Sequence, residues 1–106
     1  MGDLFETLGR AHTLGILHLF FSPREKPWRF VEIQGRLGLS PNTLSERLNG
    51  LVDSGLLQRT VYGEIPPRVE YEATRKLREL EAVFDQLEGW ARRNDLAPEM
   101  AAAPSR

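Results

Sequence analysis

The clearest pattern of apolar and polar positions lies between Ser40 and Gly55. Ser40 can cap the free N–H groups of a first helical turn, Pro41 suits the first helical position, and Gly55 suits the position just after a last turn. The pattern predicts a helix of roughly four turns. Its apolar residues recur at spacings of three and four, which places them in one stripe: Leu44, Leu48, Leu51 and Val52.

The opposite face of this helix is polar and rich in hydrogen-bonding groups. It consists of Asn42, Glu46, Asn49 and Asp53, with Thr43 and Ser45 on its flanks. A shorter apolar pattern, Phe30 to Leu37, precedes the helix across the tight connection Gly38-Leu39-Ser40. Two helices joined in this way form a helix-turn-helix, whose second helix can enter a DNA major groove.

A β-hairpin is predicted directly after the second helix. Leu57 to Tyr62 and Arg68 to Ala73 are β-prone and partly alternating, and a five-residue tip separates them. In this position a hairpin is the wing of a winged helix, whose Arg59 and Arg68 could lie along a phosphate strand or reach a minor groove. From Gly63 to Ala73 there are three Glu residues and one Arg, so a wing that does not touch DNA is the alternative.

The two ends of the chain predict helices with more apolar surface than one small domain needs. Asp3 to Phe21 is interpreted as one helix, apolar on nearly every side in its second half. A last helix is predicted to follow the cap Thr74 and to run to about Asn94. The surplus indicates a dimer contact. The candidate contact residues are Leu4, Leu8, Leu80, Phe84, Leu87 and Trp90.

The connection between the first two predicted helices, together with the second helix, is the most basic part of the chain. Ser22 to Pro27 contains helix breakers and should end the first helix, and Trp28 is predicted to start the second. The basic residues are Arg24, Lys26, Arg29 and Arg36. Each is either an ordinary solvated charge or a phosphate contact that fixes docking without reading sequence, and Arg29 is the DNA-contact candidate among them.

Length and composition limit the class of protein. The 106 residues fit one domain, predicted over residues 1–95, followed by a tail at 96–106 that has no periodic pattern and is expected to be disordered. The net charge of -1 is unusual for a nucleic-acid binder. Cysteine is absent, which excludes disulfides and thiol-based sensing by this chain. Without an apolar run of membrane-spanning length or a secretion signal, a cytoplasmic protein is expected.

No grouping of residues indicates catalysis or metal binding. His12 and His18 are six residues apart, so on a helix they would point about 120° away from each other and could not hold one ion together. No nucleophile elbow, phosphate loop or metal-ligand spacing links the Ser, His and carboxylate residues. We therefore predict no enzyme, no metal and no cofactor.

The order of these motifs resembles the HxlR-type winged-helix transcription regulators, from about Leu4 to Asn94. The most specific pieces are Leu44-Ser45-Glu46-Arg47-Leu48 and Pro66-Pro67-Arg68-Val69-Glu70-Tyr71. The resemblance implies a mainly α (α+β) winged helix-turn-helix and a homodimer, built by the first and last helices, on inverted-repeat promoter DNA. Members commonly have a cysteine ahead of the first core helix, which this chain lacks. No sensing mechanism is therefore carried over from the family.

The leading functional hypothesis is a sequence-specific regulator whose dimer presents two recognition helices to successive major grooves of duplex DNA. Asn42 and Asn49 could read adenine edges, and the hydroxyls beside them could bond phosphate or base. Arg47 would contact guanine or phosphate, and Glu46 would accept from cytosine, pair with Arg47 or simply be solvated. The candidate DNA-binding residues are Arg29, Ser40, Pro41, Asn42, Thr43, Ser45, Glu46, Arg47, Asn49, Arg59 and Arg68.

Two further interpretations stay open. A winged-helix module that docks another protein, with weak or no DNA binding, fits the nearly balanced charge and the acidic wing. A small-molecule effector could bind between the first and last helices, where Trp90, Phe84 and Phe20 would line a cavity. Aromatic residues at helical spacing are more often core or dimer contacts than the lining of a ligand site.

Overall fold

The computed structural model describes residues 2–96, so the predicted tail, apart from Leu96, lies outside the described residues. The fold is the winged helix-turn-helix that the sequence predicted, with α3 and α4 as the two helices and β2 and β3 as the wing. In chain order the elements are α1 (Gly2–Gly9), α2 (Thr13–Phe20), β1 (Trp28–Arg29), α3 (Phe30–Leu37), α4 (Pro41–Asp53), β2 (Leu57–Tyr62), β3 (Arg68–Ala73), α5 (Arg75–Arg78) and α6 (Glu81–Arg93).

The wing belongs to a three-stranded antiparallel sheet with the order β1-β3-β2. Strands β2 and β3 pair from Leu57 opposite Ala73 to Tyr62 opposite Arg68. This register confirms the predicted hairpin and its five-residue tip. The sheet therefore holds the wing directly beside the end of α4.

The strand β1 corrects the prediction that the second helix begins at Trp28. Trp28 pairs with Tyr71 of β3, and Arg29 has extended backbone angles, φ −86° and ψ 150°, so the helix begins at Phe30. Pairing with β3 gives hydrogen-bond partners to backbone that lies beside the buried Trp28 ring. The partners are far apart in the chain, so no local pattern predicts this strand.

The predicted first helix is interrupted. Helix α1 ends at Gly9 and α2 begins at Thr13. Between them His12 has a φ of 73°, in the left-handed region. That conformation cannot continue a right-handed helix, so α1 and α2 are separate helices. Histidine is among the non-glycine residues found more often than average at such angles.

The predicted last helix is also divided, into α5 and α6. Thr74 caps α5 as predicted, because its Oγ1 accepts a hydrogen bond from the N–H of Leu77 at 3.3 Å. The N–H of Leu80 then donates to the carbonyl oxygen of Leu77 at 2.8 Å, which is a three-residue turn tighter than an α-helix. Leu77 is fully buried by this arrangement, and α6 begins after the turn.

The core is built from one apolar face of each central element. The stripe predicted for α4 is confirmed, since Leu44, Leu48 and Leu51 are buried. Helix α2 is central, as its all-round apolar pattern predicted. The α4 leucines share one cluster with Ile16, Leu17, Leu19, Phe20, Trp28, Ile33, Leu56, Leu57, Tyr71 and Leu77. Packing α4 by this stripe turns its polar face outward.

Gly38 ends α3 and makes the turn of the helix-turn-helix at a φ of 68°. We expect Gly38→Ala to lower the free energy of unfolding by about 1 kcal/mol, because a Cβ disfavours the left-handed region. Gly35→Ala is the matched control inside α3, where a Cβ meets open space, and should raise that free energy by about 0.5–1 kcal/mol. Urea unfolding at one protein concentration measures both. Changes of equal sign would contradict this role of Gly38.

Candidate nucleic-acid interface

Helix α4 begins with the cap that the sequence predicted. Ser40 has an extended backbone, and its Oγ accepts a hydrogen bond from the N–H of Thr43 at 3.2 Å. The Ser40 hydroxyl donates to Oγ1 of Thr43 at 3.0 Å, and Pro41 occupies the first helical turn. These contacts fix where the helix begins.

Four of the predicted base-contacting side chains lie together on the outer face of α4. Asn42, Ser45, Glu46 and Asn49 are exposed, and together with the half-buried Thr43 they line one shallow, open surface. A side-chain amide both donates and accepts, which is the pattern that matches adenine in the major groove. We call this surface, Asn42, Thr43, Ser45, Glu46 and Asn49, the recognition face.

Arg47 is held against the junction between α1 and α2. Its Nε donates to the carbonyl oxygen of Ala11 at 2.8 Å, and its Nη1 donates to Oε1 of Glu46 at 3.1 Å. Only 17% of the side chain is exposed. The pairing with Glu46, one of the alternatives drawn from the sequence, is therefore present. Contact between Arg47 and a guanine or a phosphate would need this arrangement to change.

The wing reaches the recognition face through Arg59. Nη1 of Arg59, on β2, donates to Oδ1 of Asn49, on α4, at 2.7 Å. Two residues that were separate candidates in the sequence are thus adjacent. Because Arg59 is exposed, its charge lies at the edge of the recognition face, where a cation can reach a phosphate.

Arg68 is engaged within the wing. Its Nη2 lies 3.3 Å from Oε2 of Glu64, and its guanidinium lies 4.1 Å from the centre of the Tyr62 ring. Its Nε is 3.4 Å from a carboxylate oxygen of Glu70, a charge contact without the alignment of a hydrogen bond. The Glu70 carboxylate raises the pKa of Tyr62, because it disfavours a second negative charge nearby. Two carboxylates of the wing, those of Glu64 and Glu70, thus lie beside the Arg68 guanidinium.

Arg24 ties together the basic segment before α3. It donates to Oε1 of Glu32 at 2.7 Å, and its guanidinium lies 3.9 Å from the centre of the Trp28 ring. Glu32 also accepts from the N–H of Arg29 at 3.0 Å. This backbone hydrogen bond, followed by the charge of Arg24, lowers the pKa of the Glu32 carboxyl. The side chain of Arg29 is exposed where β1 meets α3.

The candidate dimer residues fall into two groups. Those exposed by 43–57% are Leu4, Leu87 and Trp90. Those half-buried and packed against the core are Leu8, Leu80 and Phe84. Two further apolar side chains of these helices were not among the candidates, Phe5 and Val83, which are 65% and 57% exposed. Counting every apolar residue of the two helices, instead of one stripe, would have included both.

Of the three aromatic residues predicted to line an effector cavity, Phe84 borders a cleft of about 270 Å³ between α2 and α6. Phe20 is instead buried in the core, and Trp90 is exposed. At the same cleft Nε2 of His18 lies 2.8 Å from Oε2 of Glu88. The sequence gave no signal for this pair, because 70 residues separate its members.

His12 and His18 do not form a common site, because His12 is exposed at the α1–α2 junction and His18 contacts α6. Across residues 2–96, no group of three His, Asp or Glu side chains is arranged to hold a metal ion. In the same range no helix is both long and apolar enough to span a membrane.

An exposed polar helix face, backed by leucines and flanked by a β-hairpin, defines a winged helix-turn-helix protein of the DNA-binding transcription regulator class. The sequence model of the HxlR-like helix-turn-helix family matches residues 9–98. The chain belongs to this family.

Individual relatives show the same class. An uncharacterised HTH-type transcriptional regulator of Halalkalibacterium halodurans is 32% identical over 88% of this chain and 81% of its own length. The HTH-type transcriptional regulator YodB of Bacillus subtilis is 34% identical over 86% of this chain and 80% of its own. The structure of reduced YodB matches with a TM-score of 0.75 at 33% identity, covering 88% of this chain and 89% of that one.

Proposed function

We propose that the protein acts as a homodimer that binds an inverted-repeat operator in duplex DNA through its two α4 helices. The observation that carries this proposal is the recognition face, which is exposed, polar and supported from behind by Leu44, Leu48 and Leu51. In a two-fold dimer the two copies of α4 would enter successive major grooves about 34 Å apart.

Exposed apolar side chains on α1 and α6 support the dimer. They are Leu4, Phe5, Val83, Leu87 and Trp90. An apolar surface of this kind marks an interaction site in a soluble domain, and a second copy that covers it removes that area from water. The termini of the domain would then hold the two copies together, which leaves both recognition faces free for DNA.

We propose that hydrogen bonds to the bases give specificity. A small number of cations would position the protein on the DNA backbone. Asn42 and Asn49 would read adenine edges, and Ser45 would bond a base or a phosphate. Arg59 and Arg29 are exposed cations that would contact phosphates. Since few cations are available, we expect a moderate affinity with a shallow dependence on salt.

A fluorescence-anisotropy titration tests this function. The probe is the duplex upstream of the gene for this protein, with a scrambled duplex of equal length as the control. We expect the upstream duplex to bind at least about 100-fold more tightly than the scrambled one. The logarithm of the binding constant should fall with the logarithm of salt concentration by a slope no steeper than about −5, equivalent to some five or six phosphates. Equal binding to both duplexes would contradict the proposal that the protein is a sequence-specific regulator.

A protein-docking module is the second candidate. The observation that favours it is that two of the cations at the interface, Arg47 and Arg68, have carboxylate partners within the chain. Failure of the titration to detect binding to either duplex at low salt would favour this candidate.

A small-molecule effector is proposed for the cleft between α2 and α6, where His18, Phe84 and Glu88 meet. A ligand bound there would raise the melting temperature of the protein, and thermal melting with candidate compounds detects it. Because its proposed partner is promoter DNA, the protein would act in the cytoplasm, and binding alone, without catalysis or a cofactor, would account for its function.

A further inference from the structure

Arg47 lies on the recognition helix, yet its guanidinium contacts a different part of the chain. The hydrogen bond from its Nε to Ala11 spans 36 positions of sequence and joins α4 to the junction between α1 and α2. The second bond, from Nη1 to Glu46, gives the guanidinium another partner. Two directed bonds on a planar group set an orientation as well as a distance.

The junction between α1 and α2 connects the core to α1, one of the helices proposed to form the dimer. Helix α2 is locked into the core by Ile16 and Leu17, whereas α1 carries the exposed Leu4 and Phe5. Between these helices His12 is in the left-handed conformation. The direction of α1 therefore depends on the contacts made by the residues of the α1–α2 junction.

Apolar packing does not fill the space between α1 and α4. A cleft of about 290 Å³ separates them, and most of its lining is polar: Thr7, Arg10, Thr13, Glu46, Arg47, Asn49, Gly50, Leu51 and Asp53. Apart from Leu8, which packs on the core, the described apolar side chains of α1 face solvent. The directed hydrogen bond from Arg47 to Ala11 crosses this cleft and ties the α1–α2 junction to the recognition helix.

We propose that Arg47 is a positioning residue, which fixes α1 relative to α4 and so sets the distance and angle between the two recognition helices of the dimer. This inference rests on the proposed function, because it needs the dimer that α1 and α6 form. Specificity for the spacing of the two half-sites then depends on Arg47, while reading of each half-site depends on the recognition face.

Two substitutions separate positioning from direct DNA contact. Arg47→Lys keeps a positive charge that can contact a phosphate. It loses the planar guanidinium, which bonds Ala11 and Glu46 at the same time. Arg47→Met keeps the apolar stem and removes the charge. A positioning role predicts that both variants behave alike, and a phosphate contact predicts that only Arg47→Met is impaired. Thermal unfolding confirms that each variant folds.

The first measurement needs no DNA. Since the chain has no cysteine, Ser45→Cys introduces one attachment site for a nitroxide label on each recognition helix. Pulsed electron paramagnetic resonance then gives the distance between the two labels of a dimer, which is expected to be about 34 Å. In the Arg47→Lys and Arg47→Met backgrounds, we expect this distance to shift, or its distribution to widen beyond the spread of the label itself. An unchanged distribution in both backgrounds overturns the proposal.

The second measurement uses duplexes selected from a random pool by the unlabelled protein with its natural Ser45. One carries a single half-site, one both half-sites, and two carry one base pair added or removed between them. For the changed spacings, we expect the affinity to fall about tenfold when Arg47 is present and about threefold or less in both variants. The affinity for the single half-site should be nearly the same in all three proteins. If Arg47→Met alone loses half-site affinity, and its salt slope falls by about 0.9, Arg47 contacts a phosphate and the proposal is wrong.

The two measurements also separate failure of this inference from failure of the proposed function. Absence of a dipolar signal in the singly labelled protein with Arg47 intact would mean that no dimer forms, and the proposed function would fall together with the inference. A dipolar signal and a selected inverted repeat, both insensitive to Arg47, would leave the proposed function in place and overturn the inference alone.

Discussion

Leu87→Asp is expected to convert the dimer into a monomer and to lower the affinity for a two-half-site operator at least about 100-fold. Leu87 is 57% exposed in the single chain and lies with Val83 and Trp90 among the apolar side chains of α6. An unpaired carboxylate buried in an apolar interface costs several kcal/mol, and about 2.7 kcal/mol corresponds to 100-fold in an equilibrium constant. The loss in DNA affinity follows because each half-site is then bound independently.

Size exclusion with light scattering measures the change in mass, and anisotropy with a full operator and a single half-site measures the change in binding. The matched control is Val31→Asp, since Val31 is 63% exposed but lies on α3, which is not one of the helices proposed to form the dimer. Its mass should stay that of the dimer. If Leu87→Asp also stays dimeric, α6 does not form the interface, and the arrangement of the two recognition helices must be different.

Leu48→Ala is expected to lower the free energy of unfolding by about 2–5 kcal/mol. Leu48 is fully buried in the stripe that supports the recognition face. Its truncation removes apolar area from the core and leaves a cavity behind α4. Because small domains are stable by only about 5–15 kcal/mol, this is a large fraction of the total. DNA binding should weaken in proportion to the loss of folded protein.

Urea unfolding at one fixed protein concentration measures this change, since dimerisation makes stability depend on concentration. Ser45→Ala is the control for stability, because Ser45 lies on the same helix and is exposed. It should change the free energy of unfolding by no more than about 0.5 kcal/mol. Equal losses in the two variants would mean that Leu48 is not a core residue.

Most of the helix-turn-helix could be predicted because its signals are local. Ser40 caps the helix that it precedes, Gly38 takes the left-handed turn, and the leucine stripe repeats within a few residues of itself. The hairpin follows from alternation on both sides of a short tip. Each of these signals depends on residues that are close in the chain, so the sequence contains all of the information that they require.

The errors occur where a contact joins distant parts of the chain. The sequence predicts Trp28 at the start of a helix, but pairing with Tyr71 makes it part of a strand. The apolar pattern of the first helix continues through the interruption at His12, so periodicity could not reveal the break. Arg47 belongs to the recognition helix by its position, and its partner Ala11 lies outside any local window.

The sequence by itself determined which helix faces outward, which side chains it presents and which leucines support it, because caps and periodicity act within one or two helical turns. The tertiary structure determined the partners of the cations. Arg59 contacts Asn49, Arg68 contacts carboxylates of the wing, and Arg47 contacts the junction between α1 and α2. These choices depend on distances between elements, which side-chain packing sets and no spacing along the chain encodes.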